Sequence, residues 1–251
     1  MSSVSETDNL MYESGLEVLH PGGWEKTDEM ARACCVGPAV RVLDIGGGRG
    51  TTASRLARKY GCEIVAIDIS PDMVEAARQR IRKEGLEHLI DFRQADAHDL
   101  PFEDESFDVV LIECVTTLLD REKAFREFQR VLKKGGYLGD LEMTYQREPA
   151  EPFVRQLCDS WEGFTTMTLS GWEKLLRDQG WEVVKVSDFS EKLDNIQWAM
   201  MKELGVAGMA RMAWKLLWHP TVARGLMEWE RLFKEGEGVI GYGYFVARKV
   251  Q

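Results

Sequence analysis

The amino-acid sequence predicts an α/β fold in which helices cover a parallel sheet. Strand-like apolar runs alternate with segments of helical periodicity through the first three quarters of the 251 residues, as is typical of βαβ units. A glycine-rich turn joins the first apolar run to the helical segment that follows it. A chain that is 44% hydrophobic and 29% charged has the composition of an ordinary globular domain.

The first half of the chain contains four predicted strands separated by helices. A β-rich apolar run at 41–45 stops at glycines and is predicted as the first strand. A helix over 51–60 follows, because small and apolar residues recur there on one face. Ser70 as N-cap and Pro71 in the first turn begin the next helix, which extends to about Lys83. The other strands of this half are predicted at 63–67, 89–92 and 107–113.

The second half continues the alternation up to a final strand near the end of the sequence. Asp120 caps a helix that runs through Leu132 and ends at the Gly135–Gly136 stop. Ser170–Glu173 matches a capping box, and its helix ends at Gly180. The strands of this half are predicted at 137–143, 181–186 and 242–247.

Two segments, about 144–169 and 189–238, do not follow this alternation. They are irregular or helical by pattern and rich in Trp and Met. Since no repeat or Pro/Ser-rich linker separates them, residues 1–251 are predicted to form one domain. Its core would comprise about 38–188 and 239–251.

Composition and charge exclude several classes of protein. The chain has 42 acidic and 32 basic residues, a net charge of −10, which disfavours sequence-independent binding of nucleic acid. It contains no run of about 20 apolar residues, and its first ten residues lack the pattern of a secretion signal. Five cysteines without framework spacing favour a reducing compartment. These features predict a cytoplasmic protein with no membrane span.

The strongest local signal is the loop Asp44-Ile-Gly-Gly-Gly-Arg-Gly50 between the first strand and its helix. Glycines allow positive φ and let a ligand approach the backbone, and the helix that follows offers free N–H groups. Thr51 breaks the dinucleotide pattern, and no Gly-Lys-Ser/Thr phosphate loop is present. Alone, the loop is consistent with either a ligand site or a tight turn.

Two further acids follow neighbouring strands of the predicted sheet. Asp68 ends the second strand, where a carboxylate can accept both hydroxyls of a ribose. Asp96 and Ala97 follow the third strand, where an adenine amino group could donate to the acid. A helix-capping acid and a surface turn are the structural alternatives. Together with the glycine loop, these residues predict a nucleoside site.

Five segments together resemble the class I S-adenosylmethionine-dependent methyltransferases, in particular the small-molecule group called type 11 or type 25. They are VLDIGGGRG, AIDIS, ADAHDLPFEDESFDVV, AFREFQRVLKKGGYL and GWEKLLRDQGWEVV. The resemblance covers about residues 38–143 and, more loosely, 172–186. It implies a Rossmann-like, seven-stranded, mostly parallel sheet whose last strand is antiparallel. It also implies S-adenosylmethionine as the cofactor and in-line methyl transfer to a small molecule.

The resemblance assigns cofactor roles to residues of each motif. Asp44, Gly46, Gly48 and Gly50 would hold the methionine part, Asp68 the ribose, Ile69 one face of adenine, and Asp96 with Ala97 the adenine amino group. Glu113 would line the cofactor, and Cys114–Thr117 replaces the histidine-containing stretch common after this position. An N-terminal lid of about residues 1–37, including Tyr12 and the His20-Pro-Gly-Gly-Trp24 turn, would cross the cofactor, with a Pro-Gly turn that has no ligand role as the alternative.

Methyl transfer needs positioning and exclusion of water more than obligatory catalytic side chains. Where the acceptor must lose a proton, Glu113, Glu142 and His20 are the candidate bases, with plain solvation of strand ends as the alternative for the two carboxylates. The segment 189–238 would form a helical cap over the acceptor. Candidate acceptor contacts are Tyr145, Trp198 and Trp214. The Met and Trp residues of the segment 189–238 favour an apolar or cationic acceptor. The alternative is that they belong to the ordinary hydrophobic core.

The sequence leaves two alternatives to a small-molecule methyltransferase. One is a nucleic-acid or protein methyltransferase, although the chain lacks the Asn/Asp-Pro-Pro-Tyr and Pro-Cys segments of such enzymes. The other is a non-catalytic S-adenosylmethionine-binding protein. The accepting atom stays open among O, N, S and C, and the assembly between a monomer and a homodimer. The cysteine spacings match no zinc pattern, so no metal is predicted.

Overall fold

The computed structural model describes residues 10–17, 20–160 and 163–250, apart from the side chains of residues 192 and 194–200. Seven strands in this part of the chain form one sheet in the order β3-β2-β1-β4-β5-β7-β6. β7 is antiparallel to both β5 and β6, whereas the other neighbours are parallel. The strands are β1 (Arg41–Ile45), β2 (Glu63–Asp68), β3 (Ile90–Gln94), β4 (Phe107–Glu113), β5 (Leu132–Tyr145), β6 (Trp181–Asp188) and β7 (Ile240–Lys249). The predicted fold class is confirmed.

Helices cover both faces of this sheet. They are α1 (Gly23–Ala33), α2 (Thr51–Tyr60), α3 (Pro71–Glu84), α4 (Arg121–Val131), α5 (Glu151–Ser160), α6 (Leu169–Asp178), α7 (Ile196–Trp218) and α8 (Pro220–Glu235). Residues 10–14 are also helical, and 3-10 turns occupy Thr116–Leu118 and Ser190–Asn195. Ser70 caps α3 and Asp120 caps α4, each by accepting a hydrogen bond from a backbone N–H, as predicted.

Several predicted boundaries are wrong. The strands predicted at 89–92, 137–143, 181–186 and 242–247 lie at Ile90–Gln94, Leu132–Tyr145, Trp181–Asp188 and Ile240–Lys249. Contacts with the sheet explain two errors at helix ends. The predicted helix through Leu132 ends at Val131, because Leu132 begins β5 and pairs with Phe107 of β4. The predicted capping box at Ser170 is replaced by Thr168, whose hydroxyl accepts from the N–H of Gly171. Thr168 is extended and bridges to Tyr145, so the helix begins where the chain leaves the sheet.

The core lies on both faces of the sheet, because successive side chains of each strand point to opposite faces. On β1, Val42 joins a cluster with Leu56 of α2, and Leu43 joins a second cluster with Phe125 of α4. Asp44 and Glu113 lie at positions of β1 and β4 that alternate onto the first face. This alternation aims both carboxylates toward the same side of the sheet.

The segment between β6 and β7 is helical, as predicted. α7 contains a break at Gly205, where φ is 58° and ψ is −177°. Leu204 packs in a small cluster with Met11 and Leu16 of the N-terminal segment. None of the helices among the described residues is long and apolar enough to cross a bilayer.

Candidate functional site

The glycine loop links β1 to α2 through left-handed backbone. Gly46, Gly48 and Gly50 have φ values of 68°, 52° and 72°, which L side chains rarely adopt. A Cβ on Gly46 would lie 2.4 Å from Cγ2 of Val115. The loop therefore needs glycine at this position for two reasons, its backbone conformation and its close contact with the turn after β4.

A cavity of about 100 Å³ opens beside this loop. Its walls are the loop itself, the start of α2, the end of β4 and the N-terminal segment. The cavity brings together several predicted site residues that are far apart in sequence. These are Tyr12, His20, Asp44, Gly46, Gly48 and Glu113.

Asp44 is the most buried acid of this cavity. The residue is 3% exposed, and its Oδ2 is buried with no hydrogen-bond partner. Burial raises its pKa well above the ordinary value, and the nearby Glu113 and Asp68 carboxylates raise it further. Because a buried polar atom without a partner is costly, the site favours a cation or hydrogen-bond donor at Oδ2.

Glu113 stands opposite Asp44 with one oxygen engaged and one without a partner. Its Oε2 accepts a hydrogen bond from the hydroxyl of Thr52 at 2.8 Å. Its Oε1 is buried without a hydrogen bond and lies 3.6 Å from Nε2 of His20. This oxygen is therefore available to a ligand or to a proton.

His20 is fixed by two further contacts. Its Nδ1 lies 3.0 Å from the Pro21 carbonyl, which can only accept, so we assign the proton to Nδ1. Its Nε2 lies 3.1 Å from the Thr27 hydroxyl. In this tautomer Nε2 carries a lone pair beside the free oxygen of Glu113, so the two groups can share an incoming proton.

Asp68 ties the glycine loop to the end of β2. Its Oδ2 accepts from the N–H of Gly48 and its Oδ1 accepts from the N–H of Ser70, both at 2.9 Å. Each carboxylate oxygen keeps a further lone pair for a hydroxyl donor. Ile69, the next residue, is 68% exposed, and an aromatic ring could therefore pack on it.

Asp96 and Ala97 follow β3 but do not line the cavity. The N–H of His98 donates to Oδ1 of Asp96 at 2.9 Å, and Nδ1 of His98 lies 2.7 Å from the same oxygen. The hydrogen bond from the His98 N–H is the largest cause of the lowered pKa of Asp96. Asp96 is half-exposed and Ala97 is buried, so the acid stands at a surface that an adenine could reach.

Glu142 does not reach the cavity. It is fully buried and accepts three hydrogen bonds from the turn that follows β4. Burial raises its pKa to about 7, against the lowering effect of the hydrogen bonds from this turn. Its position on β5 alternates onto the face opposite that of Glu113, which separates it from the cavity.

The predicted acceptor contacts are not brought together at the cavity. Tyr145 is buried at the end of β5, and burial is the main reason that its pKa rises to about 12. Trp214 is 63% exposed on α7, with its ring centroid 6.0 Å from that of Trp218. The side chain of Trp198 lies outside the described residues.

Half of the residues that line the cavity were not predicted as site residues from the sequence. They are Glu17, Ile45, Gly47, Thr51, Thr52 and Cys114. Thr52 had a usable signal, because it lies in the first turn of the helix that follows the glycine loop. Glu17 had none, since its place depends on how the N-terminal segment packs.

The comparisons with known proteins agree with this geometry. A family model described as a methyltransferase domain matches residues 43–139. The methyltransferase GfsG of Streptomyces halstedii is 31% identical over 74% of this chain and 70% of its own length. Ajmaline N-methyltransferase of Rauvolfia serpentina is 31% identical over 83% of this chain and 75% of its own length.

The chain belongs to the class I S-adenosylmethionine-dependent methyltransferases. The predictions of family, cofactor and methyl transfer to a small molecule are thereby confirmed. A crystal structure of the [4+2]-cyclase SpnF shares the architecture, with a TM-score of 0.78 and 27% identity over 98% of this chain and 92% of that one. This methyltransferase therefore shares its fold with a protein named for a different reaction.

Among the described residues, no group of three or more His, Cys, Asp or Glu side chains could hold a metal ion. The cysteines in this part of the chain are dispersed: Cys34 and Cys62 are buried in the core, Cys35 is exposed and Cys114 lines the cavity.

Proposed function

We propose that this methyltransferase binds the methionine end of S-adenosylmethionine in the cavity beside the glycine loop. The buried, unpartnered Oδ2 of Asp44 carries the proposal, because the ammonium group of the methionine part would satisfy it with a charge-assisted hydrogen bond. Gly46 and Gly48 leave the backbone open to the ligand, and the first turn of α2 offers N–H groups to the carboxylate.

The adenosine end is assigned to the exposed ends of β2 and β3. A cavity of about 100 Å³ holds only a part of so large a cofactor, so the nucleoside must lie outside it. The ribose hydroxyls would donate to Asp68, and the exposed Ile69 would pack on adenine. Asp96 would accept from the amino group of adenine beside Ala97, once its contact with His98 rearranges.

We infer that the acceptor is a small molecule with a basic nitrogen. Apart from Asp44, which is assigned to the cofactor, the acids Glu17 and Glu113 line the cavity, and the described cavity wall contains no Lys or Arg. This excess of carboxylates favours a positively charged acceptor over an anionic one. The name of the ajmaline relative is consistent with a nitrogen acceptor.

The proton of such an acceptor would pass to the Glu113–His20 pair. An ammonium nitrogen has no lone pair, so it must lose a proton before it can attack. Oε1 of Glu113 and Nε2 of His20 lie 3.6 Å apart and can receive it. When bound, the cofactor would supply an electrophilic methyl group. The nitrogen would form its bond to this carbon as the carbon–sulfur bond breaks, and the electron pair of that bond would stay on sulfur.

We assign residues 1–37 to a lid over the cofactor and residues 189–238 to a cap over the acceptor, around a core of 38–188 and 239–251. We also propose that the enzyme is cytoplasmic, that it has no nucleic-acid partner, and that it is a monomer or a homodimer.

The test combines calorimetry with a methylation screen. By calorimetry, we expect S-adenosylmethionine and S-adenosylhomocysteine to bind without added divalent metal. In a screen of amines, alcohols and thiols of matched size, we expect the labelled methyl group to be transferred to amines. Glu113→Gln should lower turnover of the best amine at least tenfold while cofactor affinity changes by less than about threefold. Label found only in alcohols or thiols would exclude the amine. Failure to bind either ligand would exclude the cofactor site.

A further inference from the structure

Glu142 lies buried beneath the turn that follows β4. Its Oε1 accepts hydrogen bonds from the N–H of Val115 at 2.7 Å and of Thr116 at 2.5 Å. Its Oε2 accepts from the hydroxyl of Thr117 at 3.0 Å. One side chain thus receives hydrogen bonds from three consecutive residues of this turn, although it comes from a different strand.

The turn held in this way meets the cavity directly. Cys114 lines the cavity and has a φ of 59°, a left-handed conformation that is uncommon for a residue with a side chain. The methyl groups of Val115 fill the space that a side chain on Gly46 would need. The position of the turn therefore defines both a wall of the cavity and the fit of the glycine loop.

The surroundings of Glu142 supply little compensation for its burial other than this turn. Asp140, two residues earlier on β5, is also buried, and the two acids raise each other's energy in the charged form. Arg121 is the nearby cation, but its guanidinium donates to the Thr165 hydroxyl at 2.7 Å and stacks on Trp172. A leucine would fill this core position without such costs, so the hydrogen bonds to the turn are what the carboxylate adds.

We propose that Glu142 is a positioning residue for methyl transfer, which holds the turn 114–117 in the conformation that shapes the methionine end of the cofactor cavity. It acts through Cys114 and Val115 and receives no proton from the acceptor. The proposal rests on the assignment of the cofactor to this cavity.

Two substitutions of similar volume separate positioning from proton transfer. In Glu142→Gln, the amide oxygen can still accept from both N–H groups and the amide nitrogen can donate to the Thr117 hydroxyl. In Glu142→Leu, all three contacts are lost. We expect affinity for S-adenosylhomocysteine to fall at least about tenfold in the leucine variant and to stay within about threefold in the glutamine variant. Hydrogen exchange at the Val115 and Thr116 amides should accelerate only in the leucine variant.

Thr117→Val provides a second variant in case the leucine protein does not fold. It removes one of the three contacts, so exchange at the same two amides should accelerate by a smaller factor. Unchanged exchange in Thr117→Val and Glu142→Leu would overturn the proposal, as would a glutamine variant that binds S-adenosylhomocysteine normally but no longer transfers methyl groups. If the wild-type protein bound no cofactor, the cofactor site would fail, but the exchange measurements would still test the role of Glu142 in the turn.

Discussion

At the scale of single residues, the site is marked by carboxylate oxygens that the protein itself leaves without partners. Asp44 and Glu113 each carry such an oxygen at the same cavity. Buried carboxylates without partners lower the stability of the folded protein. Folding stability alone therefore does not explain why these two acids are present. Their retention is consistent with a ligand that brings the missing donors.

Asp44→Asn should therefore weaken cofactor binding and stabilise the empty protein. The raised pKa of Asp44 means that its contribution to stability is fully present below its unfolded pKa of about 3.9 and is lost as pH rises through the folded value. Asparagine removes this loss. Urea unfolding should show that the variant gains stability over the wild type between pH 5 and pH 7.5, while calorimetry shows at least a tenfold weaker affinity for S-adenosylhomocysteine. An identical pH dependence in both proteins would contradict the prediction.

Asp68→Ala should weaken cofactor binding about ten- to a hundredfold, since hydrogen bonds to a charged group contribute roughly 1.5–3 kcal/mol. The variant also loses the acceptors of the Gly48 and Ser70 N–H groups, so its thermal unfolding must be measured alongside. Asp72→Ala, at an exposed acid in the first turn of α3, is the matched control. Equal affinity in the two variants would show that Asp68 serves only the backbone.

At the scale of elements, the sequence predicted the ends of those strands and helices that are determined by residues next to them in the chain. β1, β4 and α2 have the predicted bounds. Glycines directly follow β1 and α2, and β4 ends where Cys114 takes a left-handed conformation. The end of α4 was missed since helical periodicity continues to Leu132, and only pairing with Phe107 of β4 turns that residue into a strand.

The candidate site shows the same division between local and tertiary information. Acids at the carboxyl ends of strands, Asp44 and Asp68, could be predicted because the carboxyl ends of parallel strands meet at one edge. Glu142 was predicted on the same ground, but alternation along β5 places it on the other face of the sheet. Glu17 could not be predicted, since the packing of the N-terminal segment brings it to the cavity.

Gly46→Ala tests the contact between the glycine loop and the turn after β4. Gly61 at the end of α2 is the matched control, because its φ of 65° is equally left-handed but a Cβ there would meet nothing within 4 Å. Gly61→Ala should cost about 1–2 kcal/mol of unfolding free energy, the backbone strain alone, and leave cofactor affinity unchanged. Gly46→Ala adds the collision with Val115, so it should lose more stability in urea unfolding and also bind S-adenosylhomocysteine more weakly. Equal losses of stability and affinity in the two variants would show that Val115 can move aside at little energetic cost.

At the scale of the whole molecule, the N-terminal segment lies between the cofactor cavity and the helices of the predicted cap. Tyr12 and Glu17 face the cavity. On the other side, the guanidinium of Arg211 donates to the Ser14 carbonyl at 3.1 Å, and Lys215 pairs with Glu13. We therefore expect a movement of α7 to shift the N-terminal residues that line the cavity.

This arrangement leads us to expect that the cap, residues 189–238, closes when cofactor and acceptor are both bound. Trp214 is largely exposed and does not line the cavity, so it would contact an acceptor there only if α7 moves, and closure would exclude water from the reacting methyl group. Hydrogen exchange across α7 and α8 should slow when acceptor and S-adenosylhomocysteine are added together. Trp214→Ala should raise the KM for the acceptor and leave cofactor affinity nearly unchanged, whereas Val206→Ala, at a 91% exposed position of the same helix, should change neither. Maximal protection of both helices in the empty protein, unaltered by ligands, would show that they are static and that the acceptor is enclosed by other residues.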